Sequence, residues 1–158
     1  MMSFAMVTNL NLVDHNTRVE HRHASEAVAA IEDDHFQMIL INLDQLRSLQ
    51  IIANMAYLTD SGTTGLKLEA CKRMKKRSSY IKLESDAAGV PISNLKYLKS
   101  LVLRGVGIKI TDVTLHFAFG SMERLKKIHI FGAQQTTPQM RTAFHQKFPN
   151  LKGFDIEI

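Results

Sequence analysis

Histidine, the side chain most often used to bind zinc, is concentrated near the start of the chain. His21 and His23 stand two residues apart in the run HRH, a spacing that puts two imidazoles on one face of a strand, and His15 and His35 flank them. No CxxC or HExxH pattern supplies further ligands. The sequence therefore favours a polar, solvated segment, and we predict no metal site.

A second candidate for chemistry is the basic run KRMKKR at residues 72–77. Met74 belongs to an apolar stripe with Leu66, Ala70 and Cys71, which predicts that the cations lie on the solvent side of a helix. No aromatic residues alternate with these cations to stack on bases. Together with a modest net charge of +5, the pattern does not favour a nucleic-acid partner.

Nucleophilic side chains have no visible partners in the sequence. Cys71 lies on the apolar stripe and is typical of a small core residue. The glycine-containing stretches GTTG (62–65) and RGVG (104–107) lack the spacing of phosphate-binding loops. We therefore predict a protein that is not an enzyme and that binds no cofactor.

Composition indicates one globular domain. The chain has 158 residues, of which 45% are hydrophobic and 22% charged, and it has a single cysteine. The first residues lack the pattern of a secretory signal, and no apolar run approaches the roughly 20 residues of a membrane span. We expect a soluble, cytoplasmic domain over residues 1–158 with no membrane partner.

A repeat in the sequence predicts several of the strands. LKSLVL at Leu98, LKKIHI at Leu125 and LKGFDI at Leu151 share their apolar spacing and follow one another at steps of 27 and 26 residues (125 − 98 and 151 − 125). The fourth and sixth positions of each run should share the buried face of a strand. The first position should turn inward just before the strand.

Residues between the buried positions should form outward columns on one face of a parallel sheet. An aromatic and an aliphatic side chain among charged ones is the mixture typical of protein–protein contacts. The predicted partner-binding residues are Lys82, Glu84, Val102, Arg104, His129, Phe131, Asp155 and Glu157.

Helices are predicted between the strands. Thr111 or Asp112 should cap a helix that buries Val113, Phe117 and Met122, and Thr137 should cap the next, with Pro138 at its first position. Towards the N-terminus the pattern is less regular. Strands are expected at residues 7–13 and 37–43, and the repeat spacing continues at Leu46, Leu49 and Ile51 and again at Ser78, Ile81 and Leu83. A helix is expected from Ser25, with Ala27, Val28 and Ile31 on its buried face.

The runs LKSLVL, LKKIHI and LKGFDI resemble those of leucine-rich-repeat proteins with helical return segments. The segment YLTDSGTTGLKLEACKRMKKRSSYIKL is similar to the cysteine-bearing repeats of F-box adaptors. The resemblance covers residues 46–158, and residues 1–45 are expected to hold irregular repeats. It implies an α/β solenoid with a parallel sheet, in which Asn54 bonds backbone between turns, and a role as adaptor or recognition module for a protein partner.

Two other families resemble parts of the chain. QMILINL followed by the Asp-Ser-Gly turn is similar to anti-sigma factor antagonist (STAS) domains, which implies a phospho-switch with Ser61 as the acceptor. NLVDHN resembles a response-regulator receiver, but its phosphoacceptor position falls on Asn42, which cannot form an acyl phosphate. We therefore predict a non-catalytic protein-binding module, with the Ser61 switch as the alternative; the oligomeric state is open.

Overall fold

A five-stranded parallel sheet organises the computed structural model, which describes residues 7–13, 30–76, 84–105, 108–149, 151 and the backbone of 153–157. The strands are β1 (Asn9–Val13), β3 (Ser48–Ile52), β5 (Ser100–Arg104), β6 (Lys127–Phe131) and β7 (Gly153–Glu157), and they lie side by side in that order. All four pairings are parallel and unshifted. Each strand of this sheet therefore follows the previous one in both the chain and the sheet.

Burial alternates along the strands as the sequence predicts. Leu101, Leu103, Ile128 and Ile130 are fully buried, and so are their counterparts in β3. The aliphatic side chains that precede the strands, at Leu46, Leu98, Leu125 and Leu151, are buried as well. The predicted register of the repeats is confirmed, because period-two alternation with one buried face fixes which side chains point inward.

A second, shorter ladder runs beside the sheet. Strand β2 (Ala30–Glu32) pairs in parallel with β4 (Asn54–Tyr57). Isolated parallel bridges then join Thr59 to Lys109 and Thr111 to Gln135. The successive units therefore meet at two places, once in the sheet and once just before their helical segments.

In the described residues, four α-helices and one π-helical turn return the chain between strands. They are α1 (Asp33–Asn42), α2 (Asp60–Thr64), α3 (Leu68–Lys76), the π turn Thr114–Ala118 and α4 (Pro138–Lys147). Short 3₁₀ turns lie at Glu84–Asp86 and Ile92–Asn94. The predicted caps are confirmed at Thr111 and Thr137, whose hydroxyls accept from the backbone N–H groups of Val113 and Met140, each at 3.2 Å.

The helical segments supply a continuous core. Phe36 and Leu40 of α1, Leu115 and Phe119 of the π-turn region and Phe144 of α4 are buried in one cluster with the inward strand residues. The predicted stripe of Leu66, Ala70, Cys71 and Met74 is confirmed as a smaller buried cluster, which also contains Val113. Of the three residues predicted to be buried after β5, Val113 and Met122 are, whereas Phe117 is 36% exposed.

Helix α2 is closed by a glycine that no other residue replaces without strain. Gly65 has a φ of 69° and caps the helix in the left-handed conformation. A Cβ at this position would approach the backbone carbon of Val90 to 2.6 Å. The segment near Val90 is thereby held close against the end of α2.

Two predicted elements near the N-terminus are wrong. Residues 37–43 do not form a strand, because residues 37–42 belong to α1, whose N-terminus is marked by Glu32 and His35 in a capping box and by Asp33 and Asp34 in the first turn. Residues 30–32 form a strand rather than part of a helix. Ser25, Ala27 and Val28 lie outside the described residues.

The neighbour of β5 also differs from the prediction. Residues 78–83, predicted as the preceding strand, lie outside the described residues, and Glu84 begins a 3₁₀ turn. Strand β5 pairs with β3 instead, although the strands start 52 residues apart (100 − 48), twice the step of 26 seen at the end of the chain. The chain between them holds β4, α2 and α3.

None of the described helices combines the length and the apolar character that a membrane span requires.

Candidate interaction face

The outward residues of the sheet form an open face of three rows, because the strands pair without a register shift. The middle row runs Asn11, Gln50, Val102 and His129, and the row nearest the strand ends runs Val13, Ile52, Arg104 and Phe131. The backbone of Asp155 and that of Glu157 in β7 continue these two rows in register. The first row is Asn9, Ser48, Ser100, Lys127 and Gly153. We call these three rows the open face.

The open face remains accessible in the part of the chain that the structure describes. Val102, His129 and Phe131 are half-buried and Arg104 is exposed, whereas the inward residues beside them are fully buried. Parallel sheets usually have both faces covered by other elements. An accessible second face is therefore a surface on which a further protein segment could pack.

An aromatic–cationic pair stands at one end of this face. The guanidinium carbon of Arg104 lies 5.4 Å from the centre of the Phe131 ring, within the range of a cation–π contact. The two residues are direct cross-strand neighbours in β5 and β6. Arginine over an aromatic ring presents a flat apolar surface with donors at its edge, a combination that is enriched at protein interfaces.

The other predicted partner-binding residues have different placements. Asp155 and Glu157 stand opposite His129 and Phe131 in the register of β7. Glu84 is not in the sheet, so the prediction that it forms a column with Val102 and Arg104 is wrong, and Lys82 lies outside the described residues. Gln50 and Ile52 of β3 occupy the places that were expected for Lys82 and Glu84.

A ladder of threonine and aspartate side chains joins the units at the starts of their helical segments. Asp33 accepts from the backbone N–H and the hydroxyl of Thr59, at 2.8 and 2.6 Å. Asp60 accepts the same pair from Thr111, at 2.8 and 2.6 Å. Asp112 accepts the same pair from Thr137, at 2.7 Å each. We call these three rungs the Thr–Asp ladder.

The middle rung is buried and carries additional bonds. Asp60 is 6% exposed and also accepts from the hydroxyl of Thr114 at 2.6 Å. The hydroxyl of Thr63 lies 2.7 Å from that of Thr114. A buried carboxylate is costly unless its lone pairs are satisfied, and three donors at Asp60 meet this requirement.

Each threonine of the ladder serves two units at once. The hydroxyl of Thr59 accepts from the backbone N–H of Ser61 at 3.2 Å while it donates to Asp33. At Thr59 and Thr111 the next residue is an aspartate, which lies at the start of its helical segment, where a negative charge is favoured by the helix dipole, whereas Thr137 is followed by Pro138. Each of these two Thr-Asp pairs thus binds the preceding unit through its threonine and the next unit through its aspartate.

The sequence contains a signal for this ladder that our prediction missed. Thr-Asp occurs at residues 59–60 and 111–112, in each case eleven residues after a strand begins (59 − 48 and 111 − 100). The prediction covers Thr111 and Thr137 as caps but not the bonds that they donate to the aspartate of the preceding unit. The recurrence of Thr-Asp at a fixed distance from the LxxLxL runs would have indicated a bond between units.

Asn54, the residue expected to bond backbone between turns, makes a local contact. Its side-chain oxygen accepts from the backbone N–H of Ala56 at 3.1 Å. The nearby link between units is made by the backbone, where the N–H of Ala53 donates to the carbonyl of Arg104 at 3.2 Å.

Ser61 lies in the first turn of α2 and is half-buried. Its hydroxyl donates to the carbonyl of Leu66 at 2.7 Å, across the loop that leaves the helix. The Ser61 hydroxyl therefore forms a hydrogen bond within the fold.

Cys71 is buried within the small apolar cluster on α3. Burial raises the pKa of its thiol above the ordinary value of 9.0, and this effect outweighs the lowering by the hydrogen bond with Thr64. The protonated thiol is favoured at neutral pH, which suits a core residue better than a nucleophile.

The histidines and the basic run are the other candidates from the sequence. The described residues contain no group of three or more side chains that could hold a metal ion, and His35 accepts from the backbone N–H of Glu32 at 3.2 Å. His15, His21 and His23 lie outside the described residues. In the basic run, Lys72 pairs with Glu69 at 3.3 Å and Arg73 with Asp86 at 2.5 Å, while Met74 is buried.

Comparisons with protein-family models, with curated proteins and with solved structures each returned no match. The sheet, the second ladder and the Thr–Asp ladder define the class as a mixed α/β protein with a parallel sheet.

Proposed function

We propose that the chain is an arc of a leucine-rich-repeat-like solenoid. Three independent sets of contacts support this proposal, because the sheet, the second ladder of bridges and the Thr–Asp ladder all link the units in chain order. Such order is what a stack of repeats requires, since each repeat contacts only its neighbours.

The arc binds a protein partner on its open face and acts as an adaptor or recognition module. The observation that carries this proposal is the alternation of burial in β5 and β6, where inward residues are fully buried and the outward residues Val102, His129 and Phe131 remain half-exposed. The composition of this face, with an aromatic residue beside an arginine and an aliphatic residue, matches the centre of a protein interface.

Affinity capture with a paired variant tests the proposal. The tagged chain and the double variant Val102→Asp/Phe131→Asp are used to capture proteins from lysate, followed by quantitative mass spectrometry. Each captured candidate is then purified and titrated into both chains by calorimetry. We expect a loss of affinity of at least about tenfold in the double variant, since two buried contacts at an interface centre are replaced by charges.

The double variant Met38→Asp/Ile41→Asp on α1 provides a matched control. Met38 and Ile41 are 62% and 57% exposed, and the same two charges are introduced away from the sheet. A partner that binds the α1 variant normally and not the sheet variant supports the proposal. A partner that tolerates the sheet variant contradicts it, provided that circular dichroism shows the variant to be folded.

A further inference from the structure

A row of cations lies at the end of the sheet where the strands begin, and we call this row the cationic edge. Arg47, Lys99 and Lys126 are the residues that directly precede β3, β5 and β6. In the sequence each occupies the second position of an LxxLxL run, in LRSLQI, LKSLVL and LKKIHI. The repeat thus places a cation at the same point of three adjacent units.

The backbone holds these cations on neighbouring rungs. The N–H groups of Lys99 and Ser100 both donate to the carbonyl of Arg47, at 2.8 and 3.2 Å. Those of Lys126 and Lys127 donate to the carbonyl of Lys99 in the same way, at 2.8 and 3.0 Å. Adjacent cations in the row are therefore one strand spacing apart, about 4.8 Å between backbones.

Within the described residues, no acidic side chain forms an ion pair with the cations of this edge. Arg47, Lys99 and Lys126 are exposed, and the ion pairs found in the described chain lie elsewhere, at Lys72 and Arg73 on α3. Like charges on adjacent strands repel one another and destabilise the fold slightly. An anion bound along this edge would remove that repulsion.

Two clefts adjoin the row and add donors. One, of about 200 Å³, is lined by Lys96 and Arg124 together with the hydroxyl residues Ser93 and Ser121. A second, of about 630 Å³, is lined by Lys99, Arg124 and Lys126 with Pro149 and Leu151. Glu123 is the one acidic residue in the described lining of each, so both clefts keep a positive balance.

We propose that this cationic edge, formed by Arg47, Lys99, Lys126 and the adjoining Lys96 and Arg124, binds an acidic stretch of a protein partner. The inference rests on the proposed function and deepens it, because the edge is continuous with the open face through Ser100 and Lys127, the first outward residues of β5 and β6. The ammonium and guanidinium groups donate hydrogen bonds to side-chain carboxylates of the partner.

The dimensions favour an extended peptide over a nucleic acid. Three rungs span about 10 Å, the length of roughly three extended residues. A nucleic acid would find few phosphate contacts in this distance, and affinity for nucleic acid depends on their number. Tyr97, the aromatic residue at this edge, already has the guanidinium of Arg124 over its ring at 5.6 Å, which occupies a surface needed for base stacking.

The test measures the binding of a fluorescently labelled polyglutamate peptide to the full chain by anisotropy at low and at physiological salt. The variant Lys99→Glu/Lys126→Glu should bind about tenfold more weakly, because two attractions become repulsions at an exposed site. The matched control is Lys67→Glu/Lys75→Glu, which changes the net charge equally at exposed positions next to and within α3. The control should bind as the unchanged chain does.

Several results would overturn the inference. Equal weakening in both variants means that only net charge matters, and no peptide binding at low salt means that the edge is not an anion site. A single-stranded oligonucleotide or phosphatidylserine vesicles that bind more tightly than the peptide, with the same dependence on Lys99 and Lys126, would assign the edge to nucleic acid or membrane instead.

The open-face variant separates this inference from the proposed function. Val102→Asp/Phe131→Asp should retain peptide binding to within about twofold, since it leaves the cation row intact and adds only screened charges. If Val102→Asp/Phe131→Asp still binds the protein partner, the proposed function fails. The peptide measurement then still tests the cationic edge on its own. If Lys99→Glu/Lys126→Glu keeps both partner and peptide, the cationic edge fails alone.

Discussion

The Thr–Asp ladder and the open face are built by the same units but differ in how much they vary. Every rung of the ladder uses the same three groups: a carboxylate, a threonine hydroxyl and the backbone N–H of that threonine. The middle row of the open face instead changes from asparagine to glutamine, valine and histidine. The repeated hydrogen bonds of the Thr–Asp ladder hold the units together. The open face does not need one fixed set of residues for this purpose, so its residues can vary with the partner.

The largest effect is expected at the buried rung. Asp60→Ala leaves the N–H of Thr111 and the hydroxyls of Thr111 and Thr114 without their acceptor in a buried site. Removing one partner from such a network should lower the free energy of unfolding by about 3–5 kcal/mol. Urea unfolding followed by circular dichroism measures the loss, and a cost below about 1 kcal/mol would contradict the structural role of the ladder.

The two faces of β5 should respond differently to truncation. Leu103→Ala removes a fully buried side chain and should cost about 2–5 kcal/mol. Val102→Ala, one position away on the open face, should cost less than about 1 kcal/mol because the side chain is already half-exposed. Similar losses at both positions in thermal melts would show that the open face is packed against another part of the chain.

A smaller effect is expected at the last rung. Thr137→Ala removes the N-cap of α4 and one of the two bonds to Asp112, in an exposed setting. The expected loss is about 1 kcal/mol, the usual value for an N-cap. Thr137→Ser keeps the hydroxyl and is the matched control, so a serine variant as unstable as the alanine variant would argue against the hydrogen bonds as the cause.

The smallest effect concerns the pH dependence of stability. Because the folded-state pKa of Cys71 is raised above its unfolded value of 9.0, its contribution is fully present below pH 9 and is lost as the pH rises through the folded-state pKa. Unfolding free energies measured from pH 8 upwards should fall less steeply in Cys71→Ala than in the unchanged chain. Parallel curves would mean that the thiol does not titrate differently on unfolding.

The sequence predicts the regular end of the molecule better than its beginning. In LKSLVL and LKKIHI a strict alternation with one buried face leaves a single register, and the structure confirms it. In QMILINL four consecutive apolar residues fit a helix as well as a strand, so the run alone does not decide. The acidic first turn at Asp33 and Asp34 was the signal that favours a helix.

Neither the pairing of the strands nor the Thr–Asp ladder could be derived from local sequence patterns. Periodicity identifies strands but not which ones pair, so the pairing of β3 with β5 across 52 residues follows only from the three-dimensional packing. The bond between Asp60 and Thr111 likewise joins residues 51 positions apart. The residues proposed for the interaction face could be predicted where the strand register could, at Val102, Arg104, His129 and Phe131 and at the register positions of Asp155 and Glu157.

Photo-crosslinking from the sheet tests the central claim most directly. A photoreactive amino acid placed at Arg104 on the open face, and separately at Ile41 on α1, is exposed in both cases. With the partner identified by capture, we predict a covalent adduct from position 104 and none from position 41. An adduct from position 41 alone would contradict the assignment of the open face as the binding surface.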